Sequence, residues 1–440
     1  MRCLECVQDY LEASLETRQK SLPALAPRLR ITKKRKTPDS ESDARRSSVS
    51  RSPSVSSTSS VATIDVYNGA LDFDENGFIF CRSASGPDIA QIDIRNVPTP
   101  DMLRGQRNAK VDNANILVRA EYTRRLERVP GKKIHLVNVV DGTTPSLRFR
   151  YIADYKLGAG VFKADLDTQE GCQKCSPHMG RNIGCEYTKK CACLEYAAAA
   201  ENSMSAEMLS RYKEALATGA SLAEFPKKFP YFTDRTCHAG TLVPFYLNSR
   251  HMIYECNDNC RCGPYCRNKN VQFGRTVELE IFKTDSGRGW GLRCKKDLFT
   301  GQFIDTYRGE IITDSETTRR EDAADSKTKE SYLYSLDKFK ETEGLEEKDL
   351  YVVDGEFMGG PTKFMNHCCQ PNCRQYAVSY NKNDPRVYDI AFFACRDIPA
   401  GEELTFDYKD NEEGVTIDDP GQDAIPCLCG AAKCRKWLWT

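Results

Sequence analysis

No run of apolar residues in this 440-residue chain reaches the ~18 residues that a membrane-spanning helix needs. The opening residues, MRCLECVQDYLEAS, lack the apolar core of a secretory signal. Neither sign of charge is in excess, since 63 basic residues balance 63 acidic ones. Overall charge therefore predicts no polyanionic partner, and any such preference has to be local. Paired C-x-x-C and histidine ligands at the spacing of a cross-braced ubiquitin-ligase site are also absent. Cysteine is not scarce. There are 21, an odd number, crowded into a few short stretches. Without a secretion signal, such clusters read as reduced thiols holding metal, in the cytosol or nucleus.

Nine of the cysteines form two clusters. Cys172, Cys175, Cys185, Cys191 and Cys193 make the first, and Cys256, Cys260, Cys262 and Cys266 the second, in ECNDNCRCGPYC. Thiolates at C-x-C and C-x-x-C spacing can converge on one soft divalent ion, and tetrahedral sulfur ligation selects zinc. Three ions sharing these nine sulfurs require three of them to bridge, and that arrangement uses every cysteine. Two ordinary zinc sites with a spare thiol, or disulfides, are the alternatives. A third group, Cys427, Cys429 and Cys434, supplies only three ligands. A closed structural site needs a fourth, and Cys368, Cys369 and Cys373 in NHCCQPNC are the candidates. A catalytic zinc with a bound water competes, but no acid/base pair stands nearby.

Residues 1–60 read as a disordered tail. Positions 28–51 carry nine basic and three acidic residues, and nine of the fourteen residues at 47–60 are serine. Lys33-Lys34-Arg35-Lys36 resembles a nuclear localisation signal or a nucleic-acid patch. The Cys3/Cys6 pair has no partner pair nearby, and Cys237 is read as a non-ligand. Residues 61–144 are of uncertain structure, although ALDFDENGFIF and KKIHLVNVVDG alternate like strands. Structure is expected to firm up near SLRFRYIADYKLGAGV. SAEMLSRYKEALATGA reads as a helix, with Ser205 as its cap and Gly219 at its end. From 271 onward short strands dominate: TVELEIFKT, GWGLRC, QFIDTYRGEII, VYDIAFFAC and ELTFDY. One helix is expected in DSETTRREDAADSKTKE. Residues 410–423 hold six acidic residues and no basic one.

The nine-cysteine block is followed in order by RGWG at 288–291, YRGE at 307–310, FMNHCC at 364–369, ELTFDY at 403–408 and CLCGAAKC at 427–434. Over about 145–440 the chain resembles SET-domain histone lysine methyltransferases of the suppressor-of-variegation class. Any one string is weak alone, but six in one order leave little room for coincidence. The resemblance implies a mostly β fold of small sheets, divided into a pre-SET zinc-cluster domain (145–270), a SET catalytic domain (271–410) and a post-SET zinc tail (411–440). It implies S-adenosylmethionine held by Arg288, Gly289, Trp290, Tyr332, Asn366, His367 and Trp439, and it selects Cys369 as the fourth ligand of the last site, giving four zinc ions per chain. It makes Tyr307 and Tyr408 the active-site tyrosines and places Phe406 beside the lysine channel.

The implied reaction is attack of a lysine amine on the cofactor methyl. A lysine of pKa ~10.4 must first lose its proton. Desolvation in an aromatic channel and the neighbouring sulfonium both disfavour the ammonium, so no carboxylate base is required. The implied substrate is the histone H3 tail, at lysine 9 and up to the trimethyl state, in nuclear chromatin during heterochromatin formation and gene silencing. Asp337 and the acidic 410–423 segment are candidates to meet that basic tail. Two positions depart from the family pattern: Cys368 stands where serine is usual, and Lys363 where arginine is usual. No aromatic-rich methyl-lysine reader is visible in residues 1–140. A non-catalytic zinc module that binds chromatin is the alternative, and retention of Asn366, His367 and Tyr408 speaks against it.

Overall fold

β-branched and aromatic stretches of two to seven residues pair into seven small sheets among the described residues, none wider than four strands. The structure is a computed structural model. It describes residues 111–173, 175, 185, 191–233, 238–263, 266–323, 332–409 and 424–439, with three short strands upstream. The Cys3/Cys6 pair, the Lys33–Lys36 run, Cys237 and the acidic 410–423 stretch lie outside the described residues. The upstream strands β1 (Ala70–Phe73), β2 (Ile79–Arg82) and β3 (Ile89–Ile92) form one antiparallel sheet.

Ordered structure begins well before residue 145. Helix α1 (Val111–Leu126) buries Tyr122 and Leu126 at its C-terminal end. Strand β4 (Ile134–Val137) runs parallel to β8 (Leu279–Lys283), which pairs antiparallel with β9 (Trp290–Cys294). Two short strands follow β4. The first, β5 (Arg150–Tyr151), pairs with β14 (Met358–Gly359), and the second, β6 (Lys156–Leu157), with β11 (Glu310–Thr313). The segment before the cysteine block is thereby stitched into the sheets that carry the RGWG and YRGE strings.

The expected helix between the cysteine clusters is α2 (Ala206–Thr218). Ser205 Oγ accepts the Met208 N–H at 3.2 Å, and Gly219 closes the helix at φ 68°, a left-handed conformation that glycine adopts without strain. Helix α3 (Pro244–Ser249) leads into β7 (Ile253–Tyr254).

Strand β10 (Phe303–Tyr307) is buried along its whole length, in the sheet order β10-β17-β16-β7. Here β16 spans Cys373–Ser379 and β17 spans Asp389–Ala394. Strand β16 is the longest described strand and was not expected. A second four-stranded sheet has the order β12-β13-β11-β6, with β12 at Leu333–Ser335 and β13 at Tyr351–Asp354. The charged helix α4 (Asp314–Ala323) lies against it, with Arg320 bonded to Glu310, Glu316 and Asp354.

Leu279, Ile281, Leu292, Ile304, Val353 and Phe392 form the shared core between these sheets. Each such side chain contributes about 1.5–3 kcal/mol on burial. ELTFDY supplies only a two-residue strand, β18 (Thr405–Phe406), which runs parallel to β15 (Asn366–His367). The tail ends in β19 (Ile425–Pro426) and β20 (Trp437–Trp439), paired antiparallel.

Candidate active site and metal centres

The parallel β15–β18 pair builds the centre of the site. Its register sets Asn366 opposite Thr405 and His367 opposite Phe406, so two strings 39 residues apart meet side by side. Phe406 lies 4.7 Å from Phe392 and 4.8 Å from Tyr408, ring centroid to centroid, forming an aromatic wall. The Tyr408 hydroxyl donates to the Met365 carbonyl at 2.9 Å, which fixes the phenol. The buried Tyr307 hydroxyl donates to the Tyr332 carbonyl at 2.7 Å, and burial holds that phenol well above its ordinary pKa. Both phenols are therefore oriented through their hydroxyls. Gly355 has to be glycine, because a Cβ there would stand 2.4 Å from the Tyr307 oxygen.

The RGWG turn joins this wall from the other side. Gly289 takes φ 77° with open space beside it, and its carbonyl accepts the Thr284 N–H and hydroxyl, both at 2.9 Å. The Asn366 amide donates to the Trp290 carbonyl at 3.1 Å and to Glu403 at 2.7 Å, while Arg288 pairs with the same carboxylate. Glu403 thus ties the RGWG turn to the Asn366–His367 strand. Only its place in ELTFDY hinted at this, and the sequence reading assigned it no role.

His367 is buried, and its Nδ1 accepts the Tyr408 N–H at 3.2 Å. Burial pushes the imidazole down to about 4, against the upward pull of Asp407. The ring is then neutral, with its proton on Nε2, 3.2 Å from the Cys369 sulfur. The histidine of β15 therefore hydrogen-bonds a candidate metal ligand.

The metal donors converge as two separate sets. The nine cysteines between 172 and 266 are all buried, and four overlapping quartets of mutually close sulfurs take in every one of them. Sulfur pairs such as Cys185–Cys256 (3.4 Å), Cys175–Cys185 (3.5 Å) and Cys172–Cys185 (3.9 Å) bracket the ~3.8 Å edge of a tetrahedron with Zn–S of about 2.3 Å. Cys172 and Cys256 each belong to three quartets, as bridging sulfurs would. No described cysteine is in a disulfide. The second set is Cys369, Cys427, Cys429 and Cys434, with Cys369 and Cys427 sulfurs 3.8 Å apart. Cys368 points elsewhere, to the Gln370 carbonyl at 3.3 Å. The thirteen sulfurs fit four zinc ions.

The tail is also held by charge. Arg435 forks onto Asp407 at 2.6 and 2.7 Å, with both residues buried, and its N–H points at the Cys369 sulfur at 3.4 Å. Trp439 ends β20 in register with Ile425.

A model of the Pre-SET motif matches residues 126–269, and one of the SET domain matches 289–409. The H3 lysine-9 specific histone-lysine N-methyltransferase KMT1 of Fusarium mangiferae is 38% identical over 316 residues, covering 70% of this chain and 88% of that protein. Its Neurospora crassa counterpart, dim-5, is 37% identical with the same coverage. The solved structure of the Neurospora SET domain protein DIM-5, a histone lysine methyltransferase, aligns at TM-score 0.52 with 34% identity, over 65% of this chain and 98% of that one. A chain from a study of the product specificity of histone lysine methyltransferases aligns at TM-score 0.55 with 36% identity, over 70% of this chain and 99% of that one. The chain belongs to the SET-domain histone-lysine N-methyltransferases.

For a SET-domain methyltransferase the arrangement makes chemical sense. Arg288, Gly289, Trp290, Asn366 and His367 lie on two strings bonded to each other, and the open side of Gly289 leaves room for a ligand to approach closely. Tyr332 sits behind Tyr307, its ring under the Lys363 ammonium at 4.1 Å. These residues fit S-adenosylmethionine. The cofactor supplies an electrophilic methyl group when bound.

Proposed function

We propose that this chain methylates lysine 9 of histone H3 in nuclear chromatin, proceeds to the trimethyl state, and serves heterochromatin formation and gene silencing. In this reading Tyr307, Tyr408 and Phe406 carry the reaction. Arg288, Gly289, Trp290, Tyr332, Asn366, His367 and Trp439 hold the cofactor. The Lys33–Lys36 run serves nuclear entry and a contact to nucleic acid. The pairing of Phe406 with Tyr408, above the Met365 carbonyl, carries the proposal.

An amine seated against those rings leaves water and meets aromatic faces, which favours its neutral form. Two phenols, each pinned through its own hydroxyl to a backbone carbonyl, fix the geometry. Phenylalanine at 406 offers no hydrogen bond to a partly methylated amine or its water, so further turns of the substituted amine meet no added barrier.

Transfer from labelled S-adenosylmethionine to H3 tail peptides, each with one lysine replaced, tests the target. Loss of label with the lysine-9 replacement alone is expected. Equal labelling of that peptide overturns the assignment.

A further inference from the structure

Overall neutrality hides one concave basic site. A cleft of about 420 Å³ lies where the end of α1 meets β5 and β6. Arg125, Arg128, Arg150 and Lys156 line it, against a single acidic lining residue, Asp154. Two separate stretches of chain, 125–130 and 150–156, bring these cations together. Arg125 is held by Glu121 at 2.9 Å and by the Leu147 carbonyl at 2.6 Å, so it forms the floor. Glu121 also bonds Arg124. Arg128 is exposed at the rim. Like charges gathered in a concavity repel one another, and an anion relieves that repulsion.

The cleft shares its backbone with the reacting centre. The Arg150 N–H donates to the Phe357 carbonyl at 2.8 Å, and the Lys156 N–H to Gly309 at 3.2 Å. Between them the Tyr155 hydroxyl donates to the Tyr307 carbonyl at 2.8 Å. An anion seated there stands on the far side of the wall that carries Tyr307. The volume admits a phosphate and part of a sugar but not a base pair. Guanidiniums grip phosphate in a planar fork, and contacts of that kind position without reading sequence.

We propose that this cleft seats the phosphodiester backbone of duplex DNA next to the histone tail being methylated. The inference rests on the reading of the chain as a histone-tail enzyme. It places a nucleic-acid contact in the folded catalytic region, apart from the basic run at Lys33–Lys36.

The test uses the full chain with the double substitution Arg128→Glu and Lys156→Glu. Fluorescence anisotropy with a short mixed-sequence duplex, over a series of KCl concentrations, reads DNA affinity. Expected are a loss of about tenfold or more at low salt and a salt slope shallower by roughly 2, from two lost phosphate contacts. Turnover on an isolated H3 peptide should stay within about twofold, while nucleosome methylation falls with DNA affinity. If the double reversal melts early, the Arg128→Gln, Lys156→Gln pair replaces it, with the same slope change expected.

Unchanged affinity and slope overturn the proposal and place DNA elsewhere, as on residues 28–51. A fall in nucleosome methylation without a fall in DNA affinity also overturns it, and assigns the cleft to an acidic protein surface. Lost peptide turnover in a variant that melts normally makes the cleft part of the catalytic scaffold and overturns it too. Failure of the unsubstituted chain to methylate any H3 peptide breaks the functional reading instead, and leaves the DNA measurement interpretable.

Discussion

The two sulfur sites hold metal by the same chemistry but stand in different relations to the rest of the molecule. All nine pre-SET ligands are buried, come from one continuous part of the chain and share sulfurs among themselves. Of the four post-SET ligands only Cys369 is buried, and the other three are half-exposed. Cys369 comes from the segment that carries Asn366 and His367, whereas its three partners come from the tail. The first site closes on itself. The second joins the segment around β15 to a distant part of the chain, with His367 and the Arg435 backbone N–H both reaching the Cys369 sulfur. Metal in one place builds a domain, and in the other it fastens the tail to β15.

Removing a shared pre-SET sulfur should have the largest effect. Cys256→Ser takes a ligand from three quartets at once, and structural zinc is worth on the order of 10 kcal/mol of folding energy. Loss of more than one zinc ion and collapse of the thermal transition are expected, read by elemental analysis and melting. Cys434→Ser should instead remove one ion and most activity while the main transition persists. A chelator titration should show the same order, with activity lost before the melt. Simultaneous loss of fold and activity would erase the distinction between the two sites.

Arg435→Met probes the second site without touching a ligand. It leaves Asp407 buried and unpaired, a loss of about 3–5 kcal/mol in tail docking. A raised KM for S-adenosylmethionine with four zinc ions retained is expected. An unchanged KM would mean that the metal alone docks the tail.

The smallest effect lies outside both metals. Phe406→Tyr should leave zinc content and the first methyl transfer nearly intact but stall the product at mono- or dimethyl-lysine. The difference is ~1–2 kcal/mol, about one net hydrogen bond, or roughly tenfold in relative rate. Mass spectrometry of the peptide over time decides it. A tyrosine variant that trimethylates as readily removes Phe406 from product control.

Local features were legible in the sequence because their causes are local. Ligand spacing marked twelve of the thirteen cysteines that converge, the family resemblance selected Cys369, and a serine and a glycine marked both ends of α2. Strands with continuous β-branched and aromatic runs, such as β10 and β17, were visible for the same reason. Strand β16 was not. Cys373, Arg374 and Gln375 open it, and only its place between β17 and β7 makes those residues extended. Helix α1 was missed because its apolar residues draw no clean stripe. ELTFDY looked like a six-residue strand, yet only Thr405 and Phe406 form one, with Glu403 in an isolated bridge to Arg293. The bonds from Glu403 to Arg288 and Asn366, and from Arg435 to Asp407, join residues far apart in sequence, and no local pattern announces them.

The place of the post-SET ligands in the chain sets an order in time. Folding proceeds from the N-terminal end as the chain is made, so the nine-cysteine cluster and both four-stranded sheets can form while Cys427, Cys429 and Cys434 are still to be added. Up to that moment Cys369 lacks three of its partners and Asp407 lacks Arg435. A product interrupted upstream of Cys427 would therefore be well folded, hold three metal ions and remain silent as a catalyst. Methylation is withheld until synthesis has passed every other part of the site.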